Sequence, residues 1–245
     1  MSEQPLSRRA RYRAATREEA KGIALRQLAA GGGEAVSLNA IGKEMGVSGP
    51  ALYRYFASRD ALLTELIVDA YGDLAATIEA ADVAARQGDE AAPRERLRAF
   101  AAAFRAWALA QPHRYLLLYG TPVPGYVAPA GTVDLARRIL IPVLVALAAL
   151  PAPATAADPR LSALDAQFAL WARETDQQTP GPVLRRSMAW WTRLHGAISL
   201  EIEGHFAGMG FDPALLYAAE VEALLDAMST VDRAASDGRN AVPPV

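Results

Sequence analysis

Residues 37–67 read SLNAIGKEMGVSGPALYRYFASRDALLTELI, and the punctuation of this stretch decides how the rest of the chain is read. Ser37 is of the type that caps a helix, and Leu38, Ile41 and Met45 follow at spacings of three and four, the signature of a short amphipathic helix. Gly46 stops it. Val47 and Ser48 complete a tight turn, Ser48 caps a further helix, and Pro50 falls in the first turn, where a missing N–H does no harm. This helix is predicted to run to about Phe56. Ser58 then caps a long one with Leu63, Leu66, Ile67, Ala70 and Leu74 on one face.

Two short helices about a glycine corner have the proportions of a helix-turn-helix. The second of them must be slim at its N-terminus if it is to approach base edges in a groove about 12 Å wide. Ser48, Gly49, Pro50 and Ala51 are all small. Val47, Leu52 and Phe56 are the inward positions, which leaves Tyr53, Arg54 and Tyr55 pointing outward. Two readings of this pattern stand: a surface for DNA, or an ordinary small helical domain whose tyrosines cover a core.

Charge is distributed in favour of the first. Up to Asp60 the chain has ten basic and six acidic residues, a balance of +4, while the remainder of the 245 residues carries −6. A basic head on an acidic body points to a polyanion partner for the head alone. Upstream, Thr16 and Glu19 form a capping box, Ala20, Ile23, Ala24 and Leu28 an apolar stripe, and Gly31 to Gly33 a stop. Residues 1–15 read as a flexible basic arm. Its Arg8, Arg9, Arg11 and Arg13 either enter a minor groove or remain solvated.

Downstream the signals lengthen. Leu97, Phe100, Phe104 and Trp107 mark a fifth helix ending near Pro112, and the prolines and glycines of 120–131 make an irregular connection. Helices are predicted over about 132–150, 161–176, 182–207 and 213–231, the last capped by Asp212, with no strand anywhere. The fold class is therefore all-α: a three-helix head over 16–62, joined by its long fourth helix to a larger helical domain over 63–231, then a disordered tail over 232–245.

The quoted run, with a turn glycine, LYRYF, a polar cap, a basic residue and LL, resembles the DNA-binding domain of TetR-family repressors. Further on, HRYLLLYGTPVPGYVAP and WWTRLHG resemble a TetR-type C-terminal domain of the WHG class, whose tryptophan, histidine and glycine fall on Trp191, His195 and Gly196. The resemblance implies a homodimeric repressor that binds a double-stranded, palindromic DNA operator and releases it on binding a small, mostly apolar effector. It makes Ser48, Gly49, Pro50 and Ala51 neighbours of base edges or sugars, puts Tyr53 and Tyr55 on phosphates or thymine methyls, and lets Arg54 do either. Ser37 and Arg59 would meet phosphates. The position of Tyr55 is often histidine in the family, which leaves its partner open.

Two readings stand for the last two helices, with Leu216, Ala219, Ala223 and Ala227 as a small-residue seam and Trp191, Ile198 and Ile202 beside it: the dimer surface, which is the expected one, or internal core. For the ligand, the aromatic supply is Phe104, Trp107, Tyr119, Phe168, Trp171 and Trp190, supplemented by Phe100, Tyr115 and Tyr126. His113, Arg114 and Arg173 are the polar candidates. Most of the aromatics must serve packing. His195 is either a packed core or interface histidine or a ligand group.

Catalysis lacks support in the sequence. There is no Gly-x-Ser-x-Gly elbow, phosphate loop, zinc signature or cysteine, and Asp165 and Glu174 read as solvated charges. No catalytic residue, metal or cofactor is assigned; Glu201 and His205, one turn apart, lack a third ligand. Without a signal-type leader, and with the longest apolar run (139–151) well short of the roughly 20 residues a membrane span needs, the expected compartment is the cytoplasm.

Overall fold

The computed structural model describes residues 7–87, 92–129, 131–151, 158–175 and 178–228, and among them it contains α-helices and one 3₁₀ turn, with no strand. The all-α expectation holds. None of the described helices is long and apolar enough to cross a membrane. The predicted tail over 232–245 and the first six residues of the predicted arm lie outside the described residues.

Helix α1 spans Arg8–Gly31, nine residues longer at its start than the capping box at Thr16 predicts. Ser7 is the cap instead, its hydroxyl accepting from the Ala10 N–H at 3.2 Å, and Thr16 lies inside the helix, donating to the Tyr12 carbonyl at 3.0 Å. Arginine and alanine are strong helix formers, so this run needs no apolar face to extend the helix. Residues 8–15 are thus helical and not a flexible arm. The helix ends where Gly32, at φ 67°, donates to the Leu28 carbonyl at 2.8 Å.

After a 3₁₀ turn at Gly33–Ala35 come α2 (Leu38–Glu44), α3 (Gly49–Leu52) and α4 (Arg59–Ala85). Ala20, Ile23, Leu28, Val36, Ile41, Leu52, Phe56, Leu63 and Leu66 share one buried core, all but closed to solvent. Burying a side chain of this size contributes about 1.5–3 kcal/mol, so this cluster is what lets so short a head hold its shape. Lys21 also ties α1 to α4 through Asp69 at 2.6 Å; burial opposes its charge, but Asp69 and Glu18 outweigh that and hold its pKa above the ordinary value.

The remaining helices are α5 (Pro93–Ala110), α6 (Pro112–Tyr119), α7 (Gly131–Ala149), α8 (Pro159–Glu174), α9 (Gly181–Ile202) and α10 (Pro213–Ala227). The sequence reading had not separated α6 as a helix; Pro112 begins it at a position where no N–H is needed. Two compact units result: residues up to Ala75 with Ala110–Arg137, and Ala76–Leu109 with the residues from Arg138 on. The first therefore includes α6 and the connection after it.

In the second unit α5 buries Leu97, Phe100, Phe104 and Trp107, and α9 buries Leu184, Trp190, Leu194 and Ile198. Tyr217 of α10 donates to the Ala101 carbonyl of α5 at 2.9 Å, and Arg98 grips both oxygens of Glu222 at 2.6 and 2.7 Å. Asp212 caps α10 as predicted, accepting from the Ala214 N–H at 2.8 Å. Helix α9 ends five residues before the expected Ala207. Gly204, at φ 77°, donates to Glu201 at 3.1 Å, and His205 to Leu200 at 2.9 Å, the paired bonds of a left-handed glycine stop.

Candidate nucleic-acid interface

The corner between α2 and α3 is built on one residue. Gly46 has φ 68°; its N–H donates to the Lys43 carbonyl at 3.2 Å and that of Val47 to Gly42 at 2.9 Å, closing the last turn of α2. Ser37 caps the other end of α2, accepting from the Ala40 N–H at 3.4 Å.

Beyond the corner, α3 is regular only over Gly49–Leu52, and the predicted helix to Phe56 is corrected to a helical turn followed by tighter turns. The bonds from Arg54 to Ala51 (3.3 Å) and from Tyr55 to Leu52 (2.9 Å) span three residues instead of four. Both Leu52 and Phe56 are drawn into the core, at 0 % and 1 % exposure, and the chain tightens to seat them. Val47, 36 % exposed, is not the inward anchor the pattern suggested; it follows the left-handed glycine at the rim. Ser48, Pro50 and Arg54 are exposed, Ala51 is half-buried, and Tyr53 shows half its surface to solvent. Tyr55 departs from its predicted outward pose. It is partly buried against the head core.

Two arginines of α1 hold this segment from behind, a task the sequence reading missed. Arg13 donates to the Arg54 carbonyl at 3.3 Å; Arg17 donates to the Tyr55 carbonyl, pairs with Glu65 and lies 4.6 Å over the Phe56 ring. Their spacing of four along one helix face was the available signal. Arg8, Arg9 and Arg11 stay exposed. Arg59 is turned inward: its Nε donates to the Val36 carbonyl at 3.1 Å and its Nη2 to that of Gly33, so much of its donor capacity goes to pinning the chain between α1 and α2.

Comparison with known proteins decides what this head is. Residues 23–66 match the model of bacterial regulatory proteins of the tetR family, and residues 97–224 match a tetracyclin repressor-like C-terminal domain. The HTH-type transcriptional regulator Rv1816 of Mycobacterium tuberculosis (strain ATCC 25618 / H37Rv) is 37 % identical over 220 residues, covering 84 % of this chain and 90 % of its own. This chain belongs to the TetR family. The crystal structure of regulatory protein SCO4313 is similar with a TM-score of 0.74 and 45 % identity, covering 89 % of this chain and 99 % of that one. A tetR-family regulatory protein from Rhodococcus RHA1, 16 % identical with a TM-score of 0.61 and covering 89 % and 98 % of the two chains, shares the fold. Members of the TetR family are DNA-binding transcriptional regulators and not enzymes, and so is this protein.

The residues predicted for a TetR-type ligand site fall in both units, His113 and Tyr119 in the first and Phe104, Trp107, Phe168, Trp171 and Trp190 in the second. Phe104, Trp107 and Trp190 are buried in the second unit, where Phe104 stacks on Trp191 with ring centroids 5.5 Å apart. On α8, Phe168 is half-buried and Trp171 is 47 % exposed. His113 is exposed at the start of α6; Tyr119, at its end, meets Tyr71 edge-on at 6.2 Å, and burial raises its pKa. His195 packs edge-on against Phe104 (5.0 Å) and Trp191 (4.1 Å), and burial lowers its pKa to about 4. Glu201 is held by Arg105 at 2.8 Å, and among the described residues no group of three metal-ligating side chains occurs.

The first unit contains a cavity of about 240 Å³ lined by Ile67 and Tyr71 of α4, Leu117 of α6, and Pro122, Val123 and Tyr126 of the connection after α6. The same connection touches the head. Val123 lies directly over Gly33, the Tyr126 hydroxyl is 3.0 Å from that of Thr64, and Leu117, Val123 and Tyr126 all pack against the head core. In the predicted dimer seam Leu216, Ala219, Ala223 and Ala227 are exposed in the single chain. Ile198, with no exposure, belongs to its own chain's core and not to that seam.

Proposed function

We propose that this TetR-family regulator is a cytoplasmic repressor that binds a palindromic operator as a homodimer and lets go when a small, mostly apolar molecule binds. The observation that carries the reading is the exposed Tyr53 and Arg54 beside the slim, exposed Ser48 and Pro50, held from behind by Arg13 and Arg17. Small residues admit the backbone to a groove, while an aromatic hydroxyl and a guanidinium at its edge suit phosphates, thymine methyls or guanine. The exposed Arg8, Arg9 and Arg11 add sequence-independent attraction to the backbone.

One head spans a half-site only, so two copies are needed for specificity, and the exposed alanine seam of α10 lets a second helix come close. Release follows from the connection after α6, which lines the cavity on one side and packs against the head on the other. A molecule that binds better to a state with this connection displaced shifts the population toward heads spaced wrongly for successive major grooves. The test is selection of bound fragments from random duplex DNA. Two inverted half-sites about 34–36 Å apart, or a multiple of that, are expected. No enrichment over scrambled competitor at low salt would remove the DNA reading.

A further inference from the structure

Arginines shielded from solvent in the second unit are paired with carboxylates. Arg96 meets Asp82 at 2.7 Å, Arg105 meets Glu201 at 2.8 Å, and Arg185 meets Asp165 at 2.6 Å. Arg186 is the departure. At 6 % exposure it is as buried as Arg96, yet among the described residues no carboxylate pairs with it. Its Nη2 donates to the Leu147 carbonyl of α7 at 2.8 Å, whereas Nε and Nη1, with three hydrogens between them, are buried without an acceptor. Burial first, and then the like charge of neighbouring Arg185, lower the Arg186 pKa.

One helical turn further along α9 stands Trp190, fully buried, whose indole N–H likewise has no acceptor. Residues four apart share a helix face, so guanidinium and indole present their unused donors from the same side of α9. A buried, unpaired cation is among the costliest groups a protein can carry, and the cost is relieved when an anion accepts its hydrogens. The helices that supply these groups bury mainly apolar side chains, Val143, Ala146 and Leu147 on α7 and Val183 and Leu184 on α9; beside Arg186 the buried Ser187 hydroxyl donates to the Leu184 carbonyl at 2.8 Å.

We propose that Arg186 and Trp190 form a binding site for the carboxylate of a small molecule whose remaining body is apolar. A single negative charge matches the single unpaired guanidinium, the carboxylate oxygens accept from Nε, Nη1 and the indole N–H, and the apolar body lies among the aliphatic side chains. The site is separate from the cavity at the connection after α6 and does not require that cavity to receive an effector.

The full-length protein is titrated with octanoate, benzoate, octanol and acetate at pH 7.5, with binding followed by calorimetry and the thermal midpoint. Octanoate or benzoate binds with one molecule per chain; octanol and acetate bind at least tenfold more weakly. Arg186→Met weakens the bound carboxylate about a hundredfold and leaves the midpoint of the unliganded protein unchanged or raised, because an apolar side chain replaces an unpaired charge. Trp190→Phe weakens it about tenfold and carries the test if the methionine variant does not fold. Carboxylate binding that survives in Arg186→Met, equal binding of octanol or acetate, or no binding of either carboxylate to the wild type overturns the proposal. Operator binding is measured separately. Carboxylate bound through Arg186 without any change in operator affinity leaves this site standing and gives it no part in operator release, and operator release by another molecule, with no carboxylate binding, overturns this site and leaves the release reading standing.

Discussion

Gly33→Ala tests whether the connection after α6 governs the head. A Cβ at Gly33 would stand 2.3 Å from Cγ2 of Val123, 2.9 Å from Cγ1 and 3.1 Å from Cβ, against about 3.5–4.0 Å for relaxed carbon contact. Either the connection retreats by roughly 1 Å or the contact stays compressed; such overpacking costs about 1–3 kcal/mol. Gly33 is not in the left-handed region, so no backbone strain is added, and the entropy lost by the unfolded alanine chain returns only about 0.4–1 kcal/mol. Val123→Ala removes the two nearest atoms and leaves the 3.1 Å contact, at a cost of about 1 kcal/mol by itself. The double variant should therefore be more stable than the sum of the singles by about 1–2 kcal/mol in urea unfolding. In fluorescence anisotropy with the selected operator, Gly33→Ala should bind several-fold more weakly than the wild type, and the double variant should recover. Additivity within about 0.5 kcal/mol would refute the contact. A destabilised Gly33→Ala protein with unchanged operator affinity would refute its role in release.

Three further outcomes are expected. Tyr53→Ala should weaken the operator complex about 10–100-fold while size-exclusion chromatography still reports the dimer; equal affinity would exclude Tyr53 from the interface. Ala223→Arg, on the exposed seam of α10, should leave helical content intact and give a monomer in sedimentation, and a persisting dimer would move the interface elsewhere. His195 has its folded pKa lowered to about 4 from 6.5, so the unfolded chain binds the proton first; the stability tied to neutral His195 is present above pH 6.5 and lost as pH falls from there toward 4. Between pH 7.5 and pH 5 the wild type should therefore lose about 2 kcal/mol more than His195→Phe, and identical pH profiles would show that the ring titrates normally.

Much of the head was legible because its determinants are local. A glycine at the α2–α3 corner, serines before helices and apolar residues three and four apart each act within a few residues, so Gly46, Ser37, Ser58 and the stripe on α4 appear in the structure where the sequence placed them. The same locality misled at Thr16, where a capping box competed with a favourable helical run begun by Ser7, and at Gly204, whose stop signal was read through.

What tertiary structure alone decided are matters of direction and partnership. Sequence marks Arg17, Arg59 and Arg186 simply as basic; packing sends the first two to backbone carbonyls at either end of the helix-turn-helix and seals the third among apolar side chains with most of its donors unused. It likewise cannot tell that Phe104 and Trp190 are core while Trp171 lies open, or that Val123 meets Gly33 across ninety residues of chain. Helix periodicity is written in near neighbours, but the choice of which face meets which, and so which charge is left without a counterpart, belongs to contacts between residues far apart in sequence.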